Sequence, residues 1–438
     1  MERLAGIVWG VPAMVLLLVV GAILTVQTRF VQLRKFGSSM VQTIRSVGNE
    51  GRSSYRAICT ALAGTVGTGN VAGVAGAVAM GGPGAVFWMW VAAFFGMATK
   101  YAEVVLAMRY RRRSVDGRWQ GGAMYTIVNG MGARWKPLAA VFAFGAVLVS
   151  LGMGNLAQIH TMTAAVCFGY PKLPAQAVSV GLGVTAALLC MATAGGAGRI
   201  GAVVELLVPV AAGLYILGAA AVLVTYRNKL GPAFGTILQG AFCPEAVLGG
   251  GAGIGIRQAL RWGVSRGVFS NEAGLGSAPM AHISAEAAPE VQGLFGIFEV
   301  FLDTIVLCTL TALVILVSGI SVPWGSDAGS ELAAEALKQV FGESGSRALA
   351  WCLGLLAIGS MMTWQLYGVQ CTRYLWGWKG ERVFRWIYPV VTILGTSIDV
   401  SFVWAFSDLC NGLMCLPNLL ALLVLRKKVR VKSSCKTG

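Results

Sequence analysis

Charge is what this sequence has least of. Only 12% of its 438 residues are Asp, Glu, Lys or Arg, where a soluble chain carries about 25%. The deficit runs along the whole length, so no stretch reads as a long soluble domain. Histidine occurs only twice, as His160 and His282, far apart and without ligand-spaced partners. The ten cysteines, from Cys59 to Cys435, form no CxxC pair and lie mostly within apolar runs. Neither a disulfide framework nor a structural metal site follows from such a pattern. With no histidine-based triad, metal cluster or cofactor loop in context, the chain does not read as an enzyme. Gly67, Gly69 and Ala72 do satisfy G-x-G-x-x-A, but the strand and βαβ unit that give this fingerprint meaning are missing.

What the sequence has instead is apolar length. Hydrophobic residues make up 56% and mean hydropathy is +0.71. A spanning helix takes about 20 apolar residues, and the chain offers about 11 transmembrane helices, near 5–27, 57–80, 84–108, 138–166, 175–195, 200–225, 256–285, 293–319, 347–372, 385–404 and 406–425. The expected fold class is an all-α polytopic membrane protein. The first apolar run is longer than a signal-peptide core and no small-x-small cleavage site follows, so it reads as a retained span.

The net charge of +16 is placed by side. Arg29, Arg34, Lys35, Arg45, Arg52, Arg56, Arg109, Arg111 to Arg113 and the tail "RKKVRVK" fall on one face. The positive-inside rule makes that face cytoplasmic, with the amino terminus outside and the carboxyl terminus inside a bacterial inner membrane. The tail is expected to meet anionic headgroups of the lipid bilayer; no nucleic acid partner is expected, since so short a tail forms no domain.

Two glycine-rich interruptions organise the chain. "GTVGTGNVAGVAG" (Gly64 to Gly76) and "GVFSNEAGLGSAPMA" (Gly267 to Ala281) each put glycine and polar residues in the middle of a span. With residues 1–56 set aside as an extra helix and a basic loop, they fall in corresponding first spans of two five-helix halves, 57–225 and 226–425, with 426–438 left as the tail. The first half enters from the cytoplasm and the second from outside. Paired interrupted spans in inverted repeats are the best sequence pointer to a transporter's midplane site. Between the halves' spans, the outer connections 226–255 and 320–346 are the longest; "ELAAEALKQVF" in the second predicts an amphipathic helix with Leu332, Leu337, Val340 and Phe341 on one stripe.

Within the first interruption, Gly69, Gly73 and Gly76 read as a close-packing helix face. That leaves Thr65, Thr68 and Asn70 unexplained, polar residues at membrane depth. An unwound turn over Gly67 to Asn70 would aim amides at a carboxylate and carbonyls at a cation.

The strings "GTVGTGNVAGVAGAVAMGGPGAVFWMWVAAFFGMATKYAE", "GVSRGVFSNEAGLGSAPMAH", "DTIVLCTLTALVIL" and "NGLMCLPNLLALLVL" resemble the hallmark segments of the alanine or glycine:cation symporter family, from about residue 50 to 425. The resemblance implies a LeuT-type 5+5 inverted-repeat core plus one N-terminal helix, and uptake of alanine, glycine or a similar small amino acid driven by sodium. Carried onto this chain, it places Gly67, Thr68, Gly69 and Asn70 at the substrate carboxylate, faced by Phe269, Ser270, Asn271 and Gly274. Trp364 and Thr363 would limit pocket size, and Gln158 and Asn155 would either line it or form interhelical hydrogen bonds. The sodium ion, the coupling ion and no resident cofactor, would bind at Thr65, Thr68, Ser360 and Gly359, partly through backbone carbonyls. Gly359 stands where the family usually has a serine, which removes one expected hydroxyl ligand.

Three intramembrane acids stand out, because charge in hydrocarbon is costly and functional by default. Glu272 lies in the second interruption, and Glu299 and Asp303 lie four residues apart on one expected helical face. They read as coupling acids, with Glu299 and Asp303 sharing a proton, or as braces. In the bracing alternative Glu272 accepts freed backbone amides and Asp303 pairs with Arg257, Arg261 or Arg266. His282 reads as a gate or packing residue. A proton-coupled carrier or exchanger on the same scaffold is therefore the alternative to sodium symport.

Overall fold

The computed structural model describes residues 8–47, 51–193, 196–243, 255–398 and 400–429. Residues 430–438 of the basic tail and 244–254 of the long outer connection lie outside these. Among the described residues the regular structure is helical, apart from one antiparallel hairpin pairing Arg112–Arg113 with Trp119–Gln120. Among the described residues seven helices are long and apolar enough to cross a membrane, eight if the bent pair Arg52–Thr65 and Thr68–Gly81 is one span. Val11–Gln27 is apolar but only 17 residues long, and Ile256–Asn271 is interrupted by Arg257, Arg261 and Arg266. The all-α polytopic class holds, and the count of eleven stays an expectation.

One boundary moves. The sequence suggests a break near residue 405, but Val400–Leu425 is a single helix of 26 residues and the chain turns at Gly395–Ser397 instead. Apolar composition runs unbroken through this region, so hydropathy alone cannot place the turn; packing does, since a Cβ on Gly395 would lie 2.0 Å from Leu156 Cδ2. The preceding Glu343–Leu394 stretch is two helices meeting at Gly377, whose φ of 65° and ψ of −152° suit glycine.

The Gly84–Tyr110 helix is central. Ile256–Asn271, Pro289–Val300 and Leu230–Phe242 all pack on it. Leu230–Phe242 comes so close that a Cβ on Gly84 would fall 2.1 Å from the Gly240 carbonyl oxygen. Glu331–Phe341 forms as expected and buries Leu332, Ala333, Ala334, Ala336 and Leu337. Phe341 is 40% exposed, so the expected stripe stops short of it; the alanines complete the inward face instead.

Two spans contain π-helical turns, Gly152–Leu156 and Phe301–Cys308. A π turn inserts a residue relative to α-helical spacing and often marks a functional site. Here the turns carry Asn155 and Asp303.

Candidate functional site

The first interruption is a true helix break. Arg52–Thr65 and Thr68–Gly81 are bent by 53°. Val66 and Gly67 leave helical geometry, with ψ 89° at Val66 and φ −136°, ψ −154° at Gly67. Gly67 is required by proximity, since a Cβ there would lie 2.4 Å from Ser360 Oγ. Backbone groups freed at membrane depth cost several kcal/mol unless they find partners, and side chains supply them. The Gly67 amide donates to Asn70 Oδ1 at 3.0 Å, and the Thr68 amide and hydroxyl donate to Gln158 Oε1 at 3.3 and 2.9 Å.

Facing it, Ile256–Asn271 ends at Glu272, which takes the left-handed φ of 56°. The chain stays non-helical until Pro279–His282. The two breaks meet at Asp303. Its carboxylate accepts from Asn70 Nδ2 at 2.6 Å, Ser270 Oγ at 2.9 Å and Thr304 Oγ1 at 2.8 Å. Asn70 Nδ2 also lies 2.9 Å from Ser270 Oγ, and Asn271 Nδ2 donates to Thr304 Oγ1 at 3.1 Å. Above this cluster Phe269 closes on Gly69, where a Cβ would sit 3.4 Å from its ring. All of these side chains are buried. Beside the Cys308 sulfur, 3.5 Å from Asn70 Nδ2 and 3.4 Å from Ser270 Oγ, the cluster's acceptors are oxygens, which a hard cation prefers.

Several expected placements change. Asp303 is paired with neither Glu299 nor any of Arg257, Arg261 and Arg266; it lies in the π turn Phe301–Cys308, where α-helical four-residue spacing does not hold. Glu299 belongs to a second buried group: its Oε1 lies 2.8 Å from His282 Nε2 and its Oε2 3.9 Å from Lys100 Nζ. His282 Nδ1 meets Gln292 Nε2 at 2.7 Å. Glu272 does not take the freed amides of its own break. It accepts the Ser277 hydroxyl at 2.5 Å, while the Gly274 and Gly276 amides donate to Glu103 at 3.0 and 3.1 Å. Gly274 therefore turns away from the Asp303 cluster; a Cβ on it would lie 2.3 Å from Leu17 Cδ2.

Asn155 also points elsewhere, donating to the Tyr388 carbonyl at 3.0 Å. Thr65 donates back to Ala61 and Leu62 carbonyls of its own helix. Ser360 Oγ donates to the Ala63 carbonyl at 2.8 Å and Thr363 Oγ1 to the Thr60 carbonyl at 3.2 Å. These two hydroxyls thus tie the Glu343–Leu394 stretch to the end of Arg52–Thr65. A Cβ on Gly359 would point at Leu207 and Ala63, so this glycine packs against neighbouring helices. Trp364 is fully buried, edge-on to Tyr367 at 5.3 Å, and leaves room only for glycine at position 154, where a Cβ would fall 2.2 Å from its own Cβ.

The expected glycine packing face splits as well. Gly69 lies under Phe269 and Gly76 lies against the Ala328 carbonyl, 3.1 Å from its would-be Cβ, while Gly73 faces open space. Gly73 and Ala72 line a cavity of about 200 Å³ on the face carrying Glu331–Phe341. A larger cavity of about 650 Å³ opens on the hairpin face, among Arg118, Trp119, Met280, Gln370 and Arg373.

The family model of the sodium:alanine symporter family matches residues 1–434. The chain belongs to the sodium:alanine symporter family. AgcS, a sodium/alanine symporter of Methanococcus maripaludis, is 41% identical over 431 residues, covering 95% of this chain and 92% of that protein. The amino-acid carrier protein AlsT of Bacillus subtilis is 37% identical over 426 residues, covering 94% and 86%. Among solved structures, MhsT in complex with L-phenylalanine superposes with a TM-score of 0.61 at 15% identity, covering 84% of this chain and 88% of that one. This symporter family member thus has the LeuT-type fold and is a cation-coupled amino acid transporter, not an enzyme.

Sequence reading missed several members of the site. Thr304 and Thr311 bind the Asp303 cluster, Thr311 donating to the Asn70 carbonyl at 2.8 Å. Threonine is common in apolar helices, so neither carries a signal of its own. Lys100 and Glu103 did carry one: a lysine within a span demands a buried partner, and Glu103 lies one helical turn beyond it. Asn418, which donates to Glu103 Oε1 at 2.6 Å, sits in the quoted string "NGLMCLPNLL" without a role.

Proposed function

We propose that this chain imports a small neutral amino acid, alanine or glycine, by symport with sodium. The amino terminus lies outside and the hairpin face meets the cytoplasm, as the arginines of that face suggest. Residues 57–225 and 226–425 act as the inverted repeats whose rocking alternates access around the two breaks.

One observation carries the reading. Asn70 from the first break and Ser270 from the second converge on a single carboxylate, Asp303, within 3.0 Å. A sodium ion held by Asp303 and the neighbouring hydroxyl and amide oxygens would bind both breaks at once. The substrate carboxylate would lie against the Gly67 to Gly69 turn, beside the ion, with Gln158, Phe269 and Trp364 as walls. Ion and amino acid would then favour the same arrangement of the two helices, and that shared preference is the coupling free energy. A second ion at Ser360, Thr65 and Gly359 would require Ser360 to release the Ala63 carbonyl.

The test is uptake of labelled alanine by purified protein in liposomes, with sodium and proton gradients imposed separately. Uptake driven by sodium alone supports the reading. Uptake driven by a pH gradient in sodium-free medium favours the alternative, a proton-coupled carrier or exchanger, for which the buried Glu299, His282 and Lys100 group is the supporting observation.

A further inference from the structure

The cavity of about 650 Å³ on the hairpin face is lined by Arg56, Arg118, Arg199, Arg373 and Arg385, with Glu381 as the one carboxylate among its lining residues. The acids that serve these arginines are shared. Glu381 takes Arg385 at 2.5 Å and Arg373 at 3.6 Å, and Asp116 takes Arg373 at 3.0 Å and Arg118 at 3.6 Å. Glu205 takes Arg56 at 2.7 Å and Arg52 at 3.2 Å. Arg199 has no ion pair among the described residues, and Arg385 Nε is buried without a hydrogen bond. Three carboxylates thus meet six guanidiniums, and the walls keep a surplus of positive charge.

Backbone adds to it. Gly196, at φ 115°, caps the 29-residue helix Ala197–Thr225 without a side-chain hydrogen bond, and Gly196, Ala197 and Gly198 all line the cavity. The first amides of a helix have no intrahelical acceptor, and that end favours anions, phosphate above all. Next to the cavity, a recess of about 530 Å³ shares Gln120, Tyr125 and Arg373 with it and adds Arg112 and Trp378. Arg373 stacks on Trp378 at 4.4 Å and Arg112 on Tyr125 at 4.9 Å. Trp376, Trp378 and Trp386, on either side of the bend at Gly377, are 53–62% exposed, as tryptophans at a membrane interface are.

Guanidinium forks beside helix-start amides match an oxygen-rich, multiply charged group. We propose that this cavity binds a phosphate group, supplied either by the headgroup of an anionic lipid entering past Trp378 or by a soluble phosphate compound. Basic pockets between spanning helices take lipid headgroups of this kind. The cavity also joins parts that move against each other in alternating access: Arg56 at the base of the first broken helix, Met280 just beyond the second break, Arg199 on Ala197–Thr225 and Arg373 on the Glu343–Leu394 stretch. Gln370 Nε2 already donates to the Met280 carbonyl across it at 3.3 Å. A phosphate held by several of these elements favours the present arrangement over any that separates them, and so slows transport. The slowing rests on the reading that the chain transports a small amino acid; the binding does not.

Two binding arms on the purified full-length protein test it. Phosphatidylglycerol is titrated into detergent solution and counted by native mass spectrometry, and pyrophosphate is titrated into phosphatidylcholine nanodiscs by calorimetry. Saturable binding of one ligand per chain in the first arm assigns the phosphate to a lipid, and in the second to a soluble compound; either supports the site. Arg118→Gln and Arg199→Gln, both at exposed positions, each weaken that binding about tenfold, the scale of one lost charge-assisted contact. Arg45→Gln, exposed on Phe36–Ser46, leaves it unchanged. No saturable binding in either arm overturns the proposal, as does an equal loss in Arg45→Gln, which marks diffuse surface charge. The bound ligand also lowers Vmax for labelled alanine uptake in wild type and less so in Arg199→Gln. Saturable binding with Vmax unchanged overturns the slowing and leaves the site, whereas absence of any alanine uptake removes the transport reading without touching the binding result.

Discussion

Asn70 Nδ2 and Asp303 Oδ1 lie 2.6 Å apart although 233 positions separate them in the chain. This contact joins the first break to the π turn beside the second, so neither broken helix can shift without disturbing the other. Asp303→Asn removes the carboxylate while keeping its shape. We expect it to raise the sodium concentration for half-maximal uptake at least about tenfold, in line with loss of a charge-assisted interaction; Ser270→Ala should have the same direction and a smaller effect. Sodium titration of alanine uptake measures both, and wild-type sodium dependence in Asp303→Asn would remove Asp303 from the ion site.

Trp364 and Gly154 fit against each other with no spare volume. Gly154→Ala pushes a methyl into the Trp364 side chain, and overpacking of this kind costs about 1–3 kcal/mol. The expected result is a lower melting temperature and loss of uptake. Trp364→Ala should instead broaden selectivity, so that leucine competes with labelled alanine; an unchanged competition profile would place Trp364 outside the pocket.

Glu103 acts on the second break from a distance. It accepts the Gly274 and Gly276 amides and the Asn418 side chain on one oxygen. Glu103→Ala orphans these donors at about 1–3 kcal/mol for each buried group left unpaired, lowering Vmax and thermal stability. Glu103→Gln restores an acceptor and should recover much of both. Sodium affinity should hardly move in either variant, which separates this positioning role from ion binding.

On the hairpin face, Asp116 accepts from Arg373 Nη2 at 3.0 Å, and this hydrogen bond holds the Asp116 carboxyl below its ordinary pKa. A carboxylate lowered in the folded state contributes its stability above the unfolded value, and that contribution fades as pH falls through the lowered one. Acidification below the usual carboxylate range should therefore loosen the hairpin, where Arg111 and Arg113 stack on Trp119. The pair is solvent-facing, so the effect is small. Limited proteolysis between residues 111 and 121 at falling pH reads it, and Asp116→Asn should show the loosened pattern already at neutral pH.

The amino-acid sequence by itself determined the class and the location of the breaks. Scarce charge and long apolar runs dictate membrane-spanning helices, and glycines beside Thr68, Asn70, Ser270 and Asn271 mark where those helices open, because both signals depend on local composition. The sequence also exposed Asp303 and Glu299 as costly intramembrane acids. It left open whether they share a proton or brace the bundle, because four-residue spacing implies a shared face only in an unbroken α-helix, and Asp303 lies in the π turn at Phe301–Cys308.

Tertiary structure decided the partners. Whether the amides freed at Gly274 and Gly276 meet Glu272 or Glu103 depends on how Gly84–Tyr110 lies across the break. Whether Gly73 packs against a helix or opens a cavity depends on the path of the 320–346 connection. A buried polar group takes the nearest donor or acceptor in three dimensions. Which one is nearest is set by the approach of helices distant in sequence, and hydropathy and spacing carry no record of that approach.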